Sequence, residues 1–193
     1  MISPSFARFP SAPMQASSRP SRRFFLLASL AVALVPGTLA CAQINDPPQT
    51  MSNAEVDRLR DAAPEPRERV LAFISFLDQR TQAIEKLDTG RRHAGREEDI
   101  RDLMNQFASI CDDLDDNLDD YRRGQSDVRK VLAHLRSASE RWATILRTPP
   151  SDPRYDVARK LALTSLGDVQ DSASGMIVEQ KIYFASHPAA KEN

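Results

Sequence analysis

From residue 66 onward the apolar residues of this chain recur at three- and four-residue steps, four times over, and this period restricts the fold more than any other feature. Val70, Phe73, Ile74, Leu77, Ile84 and Leu87 form the first stripe, and Ile100, Leu103, Met104, Phe107, Ile110, Leu114, Leu118 and Tyr121 the second. Val128, Val131, Leu132, Leu135, Trp142, Ile145 and Leu146 form the third, and Ala158, Ala162, Leu166, Val169, Ala173, Ile177 and Phe184 the fourth. Residues so spaced share one face of an α-helix, whereas a half-buried strand alternates every second residue. No useful alternation occurs, so the pattern predicts an all-α fold, an antiparallel four-helix bundle with a short extra helix at its N-terminal side.

Helix punctuation supports that division. Ser52 and Glu55 stand at capping-box spacing, and Met51 and Val56 at the spacing of a hydrophobic staple. The short helix carrying Val56 and Leu59 must falter at Ala63-Pro64-Glu65-Pro66, because proline disfavours helical geometry in the residue before it. A long helix then starts near Pro66 and ends at Thr89-Gly90. Connections are expected at 88–95, 122–126 and 148–153, with Ser151 or Asp152 as the last N-cap and Pro153 in the first turn. Short connections favour antiparallel neighbours.

Before the bundle, Arg19, Arg22 and Arg23 precede an uncharged apolar run from Phe24 to Val35, then Pro36-Gly37 and small residues around Cys41. That is the tripartite plan of an export signal, and the run is too short for a permanent membrane anchor. Ser21-Arg22-Arg23-Phe24-Phe25-Leu26 resembles the bacterial twin-arginine signal, with Leu27 where that pattern has Lys. The resemblance covers residues 21–27 only and implies export through the Tat route, with the Sec route as an equal alternative. Ala40-Cys41-Ala42 offers a cleavage pattern that releases a protein without a membrane anchor. Acylation of Cys41 is the less favoured outcome, since Thr38 stands where a lipobox has Leu. The expected organisation is a signal peptide at 1–42, with Met14 as an alternative start, a linker at 43–51, the helical domain at 52–185 and a flexible tail at 186–193. Its expected location is the periplasm or the medium.

Removing 1–42 leaves 22 Lys and Arg against 27 Asp and Glu, a net charge near −5. This acidic balance argues against general nucleic-acid binding, which draws affinity from clustered cations. Cys111 is then the sole cysteine, so an internal disulfide is excluded by count. Its place beside Ile110 predicts an inert core thiol, with a redox or dimerising role as the alternative. Trp142, seven residues after Leu135, is expected in the core.

Asp112, Asp113, Asp115, Asp116, Asp119 and Asp120 crowd nine positions. Asp113, Asp115, Asn117 and Asp119 imitate the alternating ligands of a calcium loop, but Leu118 occupies the glycine position and Gly124 that of the closing glutamate. Phe107, Leu114 and Tyr121 keep a seven-residue step through the run, which predicts a helix with the aspartates on outward faces. Those six are the candidate interaction face. The following helix is basic, with Arg129, Lys130, Arg136, Arg141 and Arg147, so an acidic-to-basic hairpin is expected to pair flank to flank.

No metal site, cofactor or catalytic residue is expected. His93, His134 and His187 are scattered, none has Glu three residues before it, and no Cys-x-x-Cys-His, G-x-S-x-G or H-E-x-x-H occurs. Two function classes follow: a non-catalytic interaction or scaffold module acting through a helix face, and a small-ligand bundle. The second would place its pocket along the small residues Ser165, Gly167, Ser172, Ala173, Ser174 and Gly175, whose plainer use is close packing or a kink. A protein partner is expected for the first, and neither class requires nucleic acid or a transmembrane anchor in the mature form.

Overall fold

The computed structural model describes residues 50–188. The export signal with Arg22 and Arg23, the start at Met14, Cys41, linker residues 43–49 and tail residues 189–193 lie outside the described residues. Among those described there are five helices and no strand: α1 Asn53–Asp61, α2 Pro66–Thr89, α3 Arg96–Arg123, α4 Arg129–Arg147 and α5 Asp156–Ser186.

Each boundary has a local cause. Glu55 N–H donates to Ser52 Oγ at 3.3 Å and Ser52 N–H to Glu55 Oε2 at 2.8 Å, closing the capping box of α1. Ahead of Pro66, Glu65 is extended (φ −115°, ψ 97°), so the chain turns before α2 begins with proline in its first turn. Gly90 ends α2 where a Cβ would stand 2.5 Å from the Lys86 carbonyl oxygen. Gly95 opens α3 at φ 85°, a left-handed conformation that glycine adopts without steric cost.

The tertiary structure supplies caps that the sequence of a helix lacks. Arg96, buried at the start of α3, donates from Nε to the Leu87 carbonyl at 2.7 Å and from Nη2 to the Asp88 carbonyl at 3.1 Å. It thereby satisfies orphan acceptors at the end of α2. Val128 has no capping side chain of its own, and its N–H donates to Oε1 of the buried Gln180 of α5 at 3.2 Å. Gln180 Nε2 donates in turn to the Ser126 carbonyl at 2.7 Å.

The stripes converge on one core. Val70, Leu77, Ile84, Ile100, Met104, Phe107, Leu114, Leu118, Leu132, Leu135, Trp142 and Val169 are all fully enclosed. Phe107 of α3 meets Trp142 of α4 edge to face at 5.9 Å, and the indole N–H of Trp142 donates to Asp78 Oδ1 of α2 at 2.6 Å. The largest ring thus buries its apolar body and still finds an acceptor.

Two expectations are corrected. The acidic and basic helices do not lie side by side: α3 packs on α2 and α5, and α4 packs on the same two. Of the basic residues named for α4, only Arg129 and Arg141 form ion pairs among the described residues, and neither does so with α3. Arg122 and Arg123 pair with Asp119 and Asp120 within α3, Arg129 with Asp127, and Arg141 with Asp78 of α2. Exposed ion pairs contribute about 0–1 kcal/mol each, too little to choose helix neighbours against apolar burial. Second, α5 starts at Asp156 with Tyr155 as N-cap, not at Ser151 or Asp152. Asp152 instead closes a turn of its own, its carbonyl accepting from Tyr155 N–H at 3.1 Å and its carboxylate from Arg154 N–H at 2.9 Å. The Arg154 guanidinium, donating from Nε and Nη2 to the same carboxylate at 3.0 and 2.8 Å, holds the Asp152 carboxyl down at about 2. The Tyr155 ring is buried and its hydroxyl donates to the Pro150 carbonyl at 2.6 Å, which fixes Pro153 in the turn ahead of the helix.

Candidate functional site

Helix α3 runs unbroken through the aspartate run, so the carboxylates are distributed around a helix, and they are not equivalent. Asp112, Asp116 and Asp120 are exposed, whereas Asp113, Asp115 and Asp119 are half-buried, which narrows the outward face expected for all six. Asp119 accepts from Arg122 Nη1 at 2.9 Å. Asp115 Oδ1 is enclosed without a hydrogen-bond partner. Burial first, then Asp116 and Asp112, pushes the Asp113 carboxyl above its ordinary value. Among the described residues no three His, Cys, Asp or Glu side chains converge as metal ligands. Cys111 is buried, and burial, followed by Asp112 and Asp115, pushes its thiol well up, which leaves little thiolate for chemistry.

Helix α1 lies against α2 and creates a cleft that no stripe foretold. It measures about 390 Å³, with a floor of Leu59 and Phe73 and a rim that includes Arg60, Arg69, Asp113 and Asn117. Asp113 therefore faces this cleft and not the outer surface of α3. Arg69 Nη1 donates to the Leu59 carbonyl at 3.4 Å, and Arg60 pairs with Asp57 of its own helix. The anchor of α1 is Arg80, whose Nη1 and Nη2 meet Glu55 Oε1 and Oε2 at 2.8 and 2.9 Å. Arg80 Nε also donates to Gln106 of α3 at 2.8 Å and Nη2 to the Thr50 carbonyl at 3.2 Å. Arg80 holds the Glu55 carboxyl below its ordinary value.

A wider cleft of about 680 Å³ between α2 and α3 is edged by Lys86, His93, Asp99 and Asp102. A third, about 640 Å³, surrounds the Glu55–Arg80 pair. In the third, the Ser52 hydroxyl donates to Glu55 Oε2 at 3.0 Å as part of the α1 cap. The small residues of α5 line none of these three clefts; Ser165 and Ala173 are buried, and a Cβ on Gly167 would meet nothing within 4 Å.

The outer face of α5 is different in kind. Val157, Leu161, Val178 and Ile182 are 81%, 49%, 59% and 69% exposed, and among the described residues only Val56 joins them as a large exposed hydrophobic. Together with Thr164, Asp168, Asp171 and Gly175 they continue one three-and-four step along the helix, opposite the buried stripe through Ala162, Leu166, Val169 and Ala173. Beside its first half a shallow cleft of about 390 Å³ is lined by Lys160, Leu163 and Thr164. A surface helix ordinarily confines its apolar residues to the core-facing stripe, so aliphatic pairs at both ends of the outer face are a departure from that pattern. Sequence reasoning had followed one stripe of α5 and missed the second. Its signal was present in four aliphatic side chains that fall between the residues of the first.

The chain matches no family model, no curated protein and no solved structure.

Proposed function

We propose that this chain is an exported, non-catalytic helical-bundle protein that works as an interaction module, engaging another protein through an exposed helix face. The observation that carries the reading is the aliphatic stripe Val157, Leu161, Val178 and Ile182 left uncovered on α5. Isolated exposed apolar side chains are common, whereas two aliphatic pairs aligned on one face of one helix suit the anchor spacing of a docked partner. The stripe is a better candidate face than the aspartate run, because three of those six carboxylates are half-buried and Asp120 is engaged with Arg123.

Export and a periplasmic or secreted location rest on residues 19–41, with the twin-arginine resemblance at Arg22 and Arg23. No helix of the described residues is long and apolar enough to cross a membrane.

For the frame that displays the face, we propose an antiparallel four-helix bundle of α2 to α5 in which each helix reverses the direction of the one before, and α3 lies diagonally across from α4. Three contacts support it. Arg96 against Leu87 brings the start of α3 beside the end of α2. Arg154 pairs with Glu97 at 3.1 Å, which brings the segment entering α5 beside the start of α3. Gln180 against Val128 brings the end of α5 beside the start of α4.

Site-specific photo-crosslinking in the producing cell tests the function. A crosslinker at Leu161 or Val178 should yield one discrete protein adduct, and a crosslinker at Arg101, on the exposed side of α3, should yield none. Adducts from neither α5 position would remove the interaction reading.

A further inference from the structure

We infer that the outer face of α5 is built for an amphipathic helix of a different protein, one with apolar residues near both ends and basic residues at its centre. This rests on the interaction reading above and names the partner's chemistry. The stripe has two aliphatic ends, Val157 with Leu161 and Val178 with Ile182, separated by a polar middle in which Asp168 and Asp171 are exposed. Among the described residues, ion pairs on α5 engage Asp156 and, through Arg122 of α3 at the Gly175 edge of the face, Glu179, and none engages Asp168 or Asp171. Leu161 and Val178 are 17 positions apart, about 26 Å along a helix, and the whole stripe is about 37 Å long. The complement is a helix of similar length whose apolar turns flank arginine or lysine, since opposite charges across such a seam favour pairing and like charges oppose it.

A second copy of this chain is the obvious alternative occupant, and the charge pattern opposes it. Positions 157, 161, 164, 168, 171, 175, 178 and 182 are symmetric about their midpoint, so an antiparallel pair would match the aliphatic ends well. The same register sets Asp168 against Asp171 of the second copy, twice, and brings the flanking Lys160 and Lys181 of the two copies toward each other. A parallel pair in register sets each aspartate against itself. Self-pairing thus gains the ends and is opposed at the centre, whereas a basic-centred helix gains both.

The test uses the protein in the form the cell accumulates and a labelled synthetic helix of about 26 residues, with leucines spaced to meet both ends and two arginines at its centre. Fluorescence anisotropy should show saturable binding. Leu161→Glu or Val178→Glu should weaken it at least about tenfold, and so should the double change Asp168→Lys with Asp171→Lys. The double variant should instead take a peptide with two glutamates at its centre. Unchanged circular dichroism melts of the variants exclude misfolding, as expected for exposed positions. Failure of wild-type protein to bind the arginine peptide, or binding indifferent to the charge reversal, overturns the proposal. So does a dimer in analytical ultracentrifugation that Leu161→Glu dissolves, which would assign the face to a second copy. If the arginine peptide is ignored while Leu161 still crosslinks to a discrete protein in the cell, the partner chemistry falls and the interaction reading stands. If both fail, both fall.

Discussion

Asp113 shows how differently two adjacent aspartates can behave. Asp112 is exposed to water, whereas Asp113 turns toward the cleft under α1, and burial, with Asp116 and Asp112 nearby, raises its pKa. A raised carboxyl pKa means that the folded state holds the proton more tightly than the unfolded chain. This group therefore erodes stability as pH rises through the interval above about 3.8. Asp113→Asn should raise stability at pH 7 by roughly 0.2–0.5 kcal/mol, the size of a relieved like-charge pair on a helix. The gain should vanish at pH 3, where the carboxyl is protonated in both states. Thermal melts of both proteins at the two pH values check it, and equal melts at pH 7 would contradict the burial argument. Glu55 behaves with the opposite sign. Arg80 lowers its pKa, so its contribution is present above about pH 4.5 and is lost as pH falls through the folded value. Trp142 is the most exacting residue of the core, packed on Phe107 and bonded to Asp78. Trp142→Ala should cost about 3–5 kcal/mol in denaturant unfolding.

Among the elements, α1 depends most on a single contact. Its burial is limited to Leu59, so the Glu55–Arg80 fork and the capping box carry most of its attachment. Arg80→Met should speed amide exchange in residues 53–61, a local opening cheaper by about 1–3 kcal/mol. Exchange in the core of α3 should stay unchanged, and uniform acceleration throughout the protein would show that α1 is not a separable unit. Helix α5 carries Gly167 and Gly175 in its interior, where glycine costs roughly 0.5–1 kcal/mol relative to alanine. Nothing lies within 4 Å of a Cβ added at Gly167, so Gly167→Ala should raise stability by about that amount. A destabilised variant would mean that the small side chain is needed for a neighbour, as a ligand pocket along α5 would require.

At the scale of the whole molecule, one core fed by four helices should unfold in one step. Leu114 lies in that core directly between Asp113 and Asp115, and Leu114→Asp should abolish cooperative folding, because it buries an unpaired charge. Millimolar calcium should leave the melting temperature unchanged, since a ligand stabilises only through preferential binding to the native state. The ranking of these two perturbations is the informative result. A large calcium-dependent stabilisation would make the aspartate run a metal site.

The helices were legible in the sequence because their causes are local. Ser52 with Glu55 starts α1, Pro66 opens α2, Gly90 closes it, and the three-and-four stripes name the buried faces of α2 to α5. Neighbour choice was not legible. Charge suggested α3 beside α4, yet Arg122, Arg123 and Arg129 each find a carboxylate within their own chain segment and Arg141 reaches Asp78 on α2. Long arginine side chains satisfy themselves with whatever acid is near, so charge balance between helices does not specify their pairing. The start of α5 moved for a related reason, since Asp152 caps a turn and Tyr155 is drawn into the core. Burial of Arg96 and Gln180 likewise depends on residues eight to more than fifty positions away, and no local pattern announces them. The candidate face divides along the same line. The chain itself fixed Val157, Leu161, Val178 and Ile182 at helical spacing and named Ala158, Ala162, Leu166, Val169 and Ala173 as the stripe that turns inward, but only packing decided that the opposite side stays uncovered. The helices α3 and α4 that α5 packs on meet its inner stripe, where apolar burial is continuous, and leave the side interrupted by Asp168 and Asp171 facing water.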